Sequence, residues 1–336
     1  MQKIRIIVCY LLISTSLVLA QQNPLKLEGI TQGTTYHITY YDNENRDFFN
    51  EIEKILHDFD QSVSTYVPTS IISRINSNQK NVVVDNYFIA CFNKAKEVWK
   101  NTNGAFDPTV YSLVNAWGFG PGKKQKLEKN KIDSLLKFVG FDLIKLKGNK
   151  VIKKDSRVAL DFNAFAQGYS VDVVSEFLIS KGISSFLVEI GGETYAHGKK
   201  PDGKNWIVGI EKPIDNKETA NPLKALVKLE NKAIATSGNY RRFIIEDGVK
   251  YHHHINPKTG YPTKNNLLSA SVFSKQCITS DANATAILVM GLEKSKEFLQ
   301  QHKELEAYLI YSDENGNYQV FETEGLKSIL TEADEE

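Results

Sequence analysis

A chain of 336 residues with 41 basic and 40 acidic side chains carries no electrostatic footprint for nucleic acid. Its apolar fraction of 41% with 10% aromatics is enough to bury a core by hydrophobic contact, and three cysteines are too few for a disulfide framework. The length suits one large domain or two intimately packed lobes.

Residues 1–20 read as a secretory signal rather than as part of the fold. Lys3 and Arg5 make a short basic start, Ile6 to Val18 is almost unbroken apolar sequence, and Val18-Leu19-Ala20 precedes the polar Gln21-Gln22-Asn23. The run is short for a membrane span, which needs about 20 apolar residues, so retention as an anchor is the lesser alternative. Cys9 lies inside the run, too early for a lipoprotein anchor. Cleavage leaves 316 residues (21–336); losing Lys3 and Arg5 from the 41 basic groups sets 39 against 40 acidic ones. The expected location is outside the cytoplasm, in a periplasm.

Along the mature chain, residues 35–41 are β-branched and aromatic and predict a strand. Apolar residues at 48, 52, 55, 56 and 59 predict a helix, as does the face Phe88, Cys91, Phe92, Ala95, Val98 and Trp99 before the stop Asn103-Gly104. Val82–Val84 reads as a short strand. A helix is expected around Ile132–Phe138, a strand at Val158–Phe162, and a helix carrying Phe165, Tyr169, Val173 and Phe177, with Asn163 as its N-cap. Strands follow at Phe186–Ile190, Trp206–Ile210, Ala225–Leu229, Phe243–Ile245 and Leu268–Phe273, then a helix from about Ser280 to Met290. Strands and helices mix without strict βαβ alternation, which predicts an α+β fold. Cys91 and Cys277 could form one bridge, but two buried thiols is the favoured reading.

Five stretches could carry chemistry. Asp281 and Thr285 lie four apart on one helical face, Asp281 in the expected first turn, and offer two hard oxygen ligands. In "ALDFNAFAQGYSVD" (159–172) a strand-to-helix turn could present backbone N–H groups to a phosphate. Gly191-Gly192 permits close backbone approach to a ligand. Asp107 in "GAFDPTV" either binds a ligand or starts a turn. Taken singly, each has a plain capping or turning explanation. "YHHHINPKTGYP" (251–262) has three histidines in a row; strand alternation would put His252 and His254 on one face and His253 on the other, so in an extended chain two could share a metal but three do not readily converge on one. No zinc spacing accompanies them, and no GxGxxG or P-loop occurs.

In order, "STYVPTSIISRIN" (64–76), "GAFDPTVYSLVNAWGF" (104–119), "LDFNAFAQGYSVD" (160–172), "EIGGETYAHGKKPDGKNWIVGIEKP" (189–213), "TSGNYRRF" (236–243), "HHINPKTGYP" (253–262) and "SDANATAI" (280–287) resemble the ApbE-type FAD:protein FMN transferases. The resemblance implies a T-fold-like mixed sheet with helices in two closely packed lobes, spanning residues 21–336 as one catalytic domain. It implies FAD contacts at Gln32, Tyr66, Ala105, Phe106, Asp107, Asp161, Gln167 and Ile255. It implies Mg²⁺ held by Ala164, Asp281, Ala284 and Thr285, with His253, three residues before Asn256, as the base. The implied reaction passes FMN from FAD to a Thr or Ser hydroxyl of an acceptor flavoprotein domain in a membrane redox complex, with release of AMP. Alternatives on the same scaffold are an FAD pyrophosphatase and a non-catalytic FAD-binding protein. The chain departs from the family in Gln32 for a common Met, Gln167 for a common Lys, and Asn256 for a common Asp. On this reading His252 and His254 face away from the site.

Overall fold

The computed structural model describes residues 23–213, 223–239, 243–246 and 249–333. The signal-peptide reading of residues 1–20 lies outside them. In chain order come strands β1 (Leu25–Thr31) and β2 (Thr34–Tyr40), then helices α1 (Phe49–Val63), α2 (Ile71–Asn76), α3 (Asn86–Asn101), α4 (Tyr111–Trp117) and α5 (Lys129–Leu136). The hairpin β3 (Ile144–Lys147) and β4 (Lys150–Lys153) precedes α6 (Ala166–Ser180). Strands β5 (Phe186–Ile190), β6 (Glu193–His197), β7 (Trp206–Glu211), β8 (Leu223–Leu229), β9 (Lys232–Gly238), β10 (Phe243–Glu246), β11 (Val249–His252) and β12 (Leu267–Ser274) follow. The chain closes with α7 (Cys277–Met290), α8 (Leu292–Gln301), β13 (Glu306–Ser312), β14 (Tyr318–Glu322) and β15 (Leu330–Glu332).

Eight strands form one antiparallel sheet in the order β1-β2-β5-β6-β9-β12-β13-β14. The period of two in its strands divides two cores. Ala233 and Ala235 of β9 join Val171, Val174 and Cys277 on the helical face, while Ile234 between them joins Trp206, Val227 and Leu229 on the other. Ala307 and Leu309 of β13 likewise pack beside Ile287 and Leu288 of α7, and Tyr308 and Ile310 point to the opposite layer. That layer is a small sheet, ordered β15-β8-β7. Layers of helix, large sheet and small sheet make the α+β fold that the mixed pattern predicts.

The helices with clean apolar spacing form where expected. α1 buries Ile52, Leu56, Phe59 and Val63 on one stripe, and α3 is opened by the Asp85 carboxylate, which accepts from the Phe88 N–H at 2.9 Å. α7 is different: it is buried nearly all round, as a helix wedged between layers must be. It starts at Cys277, so Asp281 stands a full turn inside it rather than in the first turn.

Two expected strands are not strands. Val82–Val84 is extended but its only ladder-like bond runs from Val84 N to Asn149 O. Among the described residues Val158–Phe162 has no neighbouring strand; the Asn76 side chain takes that place. Its Oδ1 accepts from Leu160 N and its Nδ2 donates to Leu160 O, each at 2.8 Å. Asn163 is not the N-cap of α6, which begins after Phe165; instead its amide donates to Thr65 Oγ1 at 2.9 Å. The strand carrying the histidines ends at His252, so alternation does not extend through His254. Cys91 and Cys277 are both free and buried, in different apolar clusters.

Candidate functional site

The pieces meet at one end of the helical layer. A cleft of about 340 Å³ is walled by the turn Ala105–Pro108, the segment from Asp161 to Gln167, the end of β9 (Thr236–Gly238), residues His253–Ile255 and the α7 side chains Asp281 and Thr285. A second cavity of about 550 Å³ holds Gln32, Gly33, Asp60 and Ser64, and shares Tyr66, Asn163 and Gln167 with the first. Volumes in this range suit a small-molecule ligand. Gly191, with φ +67°, lets the chain pass Gln167: a Cβ there would lie 2.8 Å from Gln167 Nε2. The Gln32 amide lies beside the Asp60 carboxyl without closing a full hydrogen bond. Burial pushes Asp60 up to about 6.

The polar floor is a cluster of hard oxygens. Thr285 Oγ1 donates to the Ala164 carbonyl at 3.4 Å, and Ser237 Oγ stands 3.3 Å from Thr285 Oγ1. Asp281, on the same face of α7 one turn earlier, is 7% exposed and accepts from Gly168 N at 2.9 Å. Burial raises its carboxyl, with a smaller push from Asp172. A cation at this point would relieve that cost. Adjacent oxygens of an octahedral Mg²⁺ shell, at about 2.1 Å from the ion, lie about 3 Å apart, close to the separation of Thr285 Oγ1 and the Ala164 carbonyl. Carboxylate, hydroxyl and carbonyl together fit a hard cation such as Mg²⁺. Among the described residues no group of three or more His, Cys, Asp or Glu is placed to hold a metal.

Most of the expected residues converge. Ala105, Phe106, Asp107, Asp161, Ala164, Gln167, His253, Ile255, Asp281 and Thr285 line the first cleft; Gln32 lines the second; Tyr66, 53% exposed, stands on the rim of both. Ala284 does not join them: it is fully buried in the apolar cluster beneath the sheet, so only its backbone could contribute. Asp107 turns out to start a turn as well as line the cleft. Its Oδ1 accepts from Thr109 N at 2.8 Å and Thr109 Oγ1 at 2.5 Å, and its Oδ2 from Phe141 N at 3.0 Å. Burial nevertheless raises its carboxyl.

His254 overturns the alternation argument. It lines the same cleft as His253, the two ring centroids 3.9 Å apart, and His253 meets the Phe119 ring edge-on at 6.3 Å. His254 is buried with no hydrogen-bond partner for Nδ1, and burial holds it well below the usual imidazole range. Ser237, Thr236 and Glu193 also line the cleft and escaped the sequence argument. Their only signal was membership of the "TSGNYRRF" and "EIGGETYAHG" stretches.

An antiparallel sheet backed by buried helices, with a cleft of oxygen donors and imidazoles at one end, defines an α+β ligand-binding enzyme scaffold. The chain belongs to the ApbE family, whose model matches residues 32–309. It is 37% identical over 306 residues to the FAD:protein FMN transferase of Haemophilus influenzae, covering 87% of this chain and 88% of that one. Among solved structures, the flavin transferase ApbE from Vibrio cholerae superposes with a TM-score of 0.82 at 31% identity, covering 92% of this chain and 99% of that one. The apo form of the Pseudomonas stutzeri flavinyl transferase ApbE gives a TM-score of 0.82 at 29% identity, over 93% and 98% of the two chains.

Proposed function

We propose that this chain is an Mg²⁺-dependent FAD:protein FMN transferase that esterifies FMN to a Thr or Ser hydroxyl of an acceptor flavoprotein. The observation that carries the reading is the convergence of Asp281, Thr285 and the Ala164 carbonyl with His253 in one cleft. The acceptor hydroxyl attacks the FMN-side phosphorus of FAD. A new P–O bond forms, the bond to the bridging oxygen breaks, and AMP departs with that oxygen. His253 takes the hydroxyl proton, a role that suits a residue type titrating near neutrality. Asp281, Thr285 and the Ala164 carbonyl would hold Mg²⁺. Bound there, the ion would neutralise pyrophosphate charge and ease departure of AMP. The apolar wall of Phe106, Val114, Phe119 and Ile255 suits an aromatic ring system and keeps bulk water from the phosphorus. The chain acts outside the cytoplasm, on a flavoprotein domain of a membrane redox complex; the apolar run of residues 6–18 supports export.

The test is incubation of the mature protein with FAD, Mg²⁺ and an acceptor domain, followed by a denaturing gel. A flavin-fluorescent acceptor band is expected. Free FMN and AMP without labelling would instead identify an FAD pyrophosphatase, and bound, unchanged FAD would sink both enzymatic readings. His253→Ala should lower labelling at least about 100-fold. If His254→Ala abolished labelling while His253→Ala kept it, the base would be the other imidazole.

A further inference from the structure

We infer that Asp172, which touches neither cleft, is a positioning residue that sets the metal-binding oxygens in place; the inference rests on the Mg²⁺ reading above. Helices α6 and α7 cross at Gly168, where an added Cβ would lie 2.6 Å from Cys277 O and 2.7 Å from Asp281 Cβ. Around that crossing each helix offers a carboxylate to the other. Asp172 of α6 accepts from Cys277 N through Oδ1 at 2.7 Å and from Ile278 N through Oδ2 at 2.8 Å. Asp281 of α7 accepts from Gly168 N at 2.9 Å. The N–H groups involved belong to first turns, which have no partners within their own helices. Asp172 lies four residues beyond Gly168, and Asp281 four beyond Cys277, so each carboxylate stands one turn along from the point its own helix presents.

The two grips form a clamp. Successive helical residues are set about 100° apart, so a rotation of α7 would swing Thr285 off the Ala164 carbonyl and Asp281 off the Gly168 N–H. That carbonyl belongs to the segment leading into α6. Asp172 fixes the start of α7 with both of its oxygens, and so fixes the rotation and height at which α7 delivers its two oxygen donors. Gly168 permits the approach; Asp172 orients it. A carboxylate is needed because both of its oxygens accept. An asparagine has one acceptor, and its NH₂ would face a backbone N–H donor.

The experiment measures Mn²⁺ binding by paramagnetic resonance, Mn²⁺ serving as a hard-oxygen probe, together with FAD binding in EDTA. For Asp172→Asn the expectation is a metal affinity about 10- to 100-fold weaker, native circular dichroism, and FAD affinity within about threefold of wild type. Asp172→Ser, whose shorter side chain cannot reach both N–H groups but places no donor against them, provides the second variant if Asn does not fold, and should weaken metal binding by at least about 10-fold. Faster amide exchange confined to Cys277 and Ile278 should accompany the loss. Unchanged Mn²⁺ affinity in both variants overturns the inference. So does a parallel loss of metal and FAD binding, which would mark a general structural role. Failure of the wild-type protein to bind Mn²⁺ would overturn the Mg²⁺ reading itself, and this inference with it.

Discussion

Asn76→Ala removes the side chain that stands in for a strand beside Leu160. Leu160 is fully buried, and its N–H and C=O are paired to Asn76 alone, at 2.8 Å each. Each orphaned backbone group costs about 1–3 kcal/mol when no water can replace the partner. The pair therefore sets an expected destabilisation of about 2–6 kcal/mol. The next residue, Asp161, bonds Pro108 O through its N–H at 2.7 Å and steadies Asn163 N through its carboxylate at 2.8 Å. Slack at Leu160 thus reaches both Asp107's turn and the Ala164 carbonyl. Urea unfolding of the wild type and variant, paired with FAD titration, measures both effects. Asn76→Asp should recover the bond from Leu160 N but set a carboxylate oxygen against Leu160 O, and so stay destabilised. A loss below about 1 kcal/mol for Asn76→Ala would refute the idea that these two bonds organise the segment.

Gly168→Ala should gain about 1 kcal/mol of helix propensity and lose more to overpacking, about 1–3 kcal/mol, because α7 must retreat about 0.4 Å for the Cβ to reach 3.0 Å from Cys277 O; a lowered melting temperature with weakened Mn²⁺ binding is the expected pair of results. Mg²⁺ at a hundredfold excess over its Kd should stabilise the wild type by about 2.7 kcal/mol, whereas Asp281→Ala should show no metal-dependent shift in melting while retaining FAD binding. Asp60 has a carboxyl raised from 3.8 to about 6 by burial, so its contribution to stability is full below about pH 4 and fades as pH rises through about 6. Asp60→Asn should flatten that decline by no more than about 1–2 kcal/mol, given the solvent screening of a part-exposed group; an unchanged pH profile by thermal denaturation would rule out Asp60 as its source.

Elements whose pattern depends only on their own residues were legible in the sequence. The stripe Ile52, Leu56, Phe59 and the face Phe88, Cys91, Phe92, Ala95 demand helices wherever the core lies. What eluded the pattern was set by distant partners. Val158–Phe162 is as apolar as a strand, but nothing in it reveals that a side chain 84 residues earlier replaces the neighbouring strand. The start of α7 was displaced because Cys277-Ile278-Thr279 reads as a continuation of β12, while its cap, Asp172, lies 105 residues away. The motif stretches supply most of the cleft's lining, yet the pairing of His253 with His254 depended on where β11 stops, and Ser237 entered only because β9 ends opposite Thr285. Ala284 shows the converse: a motif position whose side chain serves the core.

The two thiols have a practical consequence. Cys91 and Cys277 sit fully buried in separate cores, and burial raises both well above the usual thiol range. Thiolate is the reactive form, so alkylation or oxidation of either of these two buried thiols should await opening of the core around it. Each cysteine also serves as a built-in timer: the rate at which it is trapped by a thiol reagent reports opening of its own core, one beside α3 and the other at the crossing of α6 with α7.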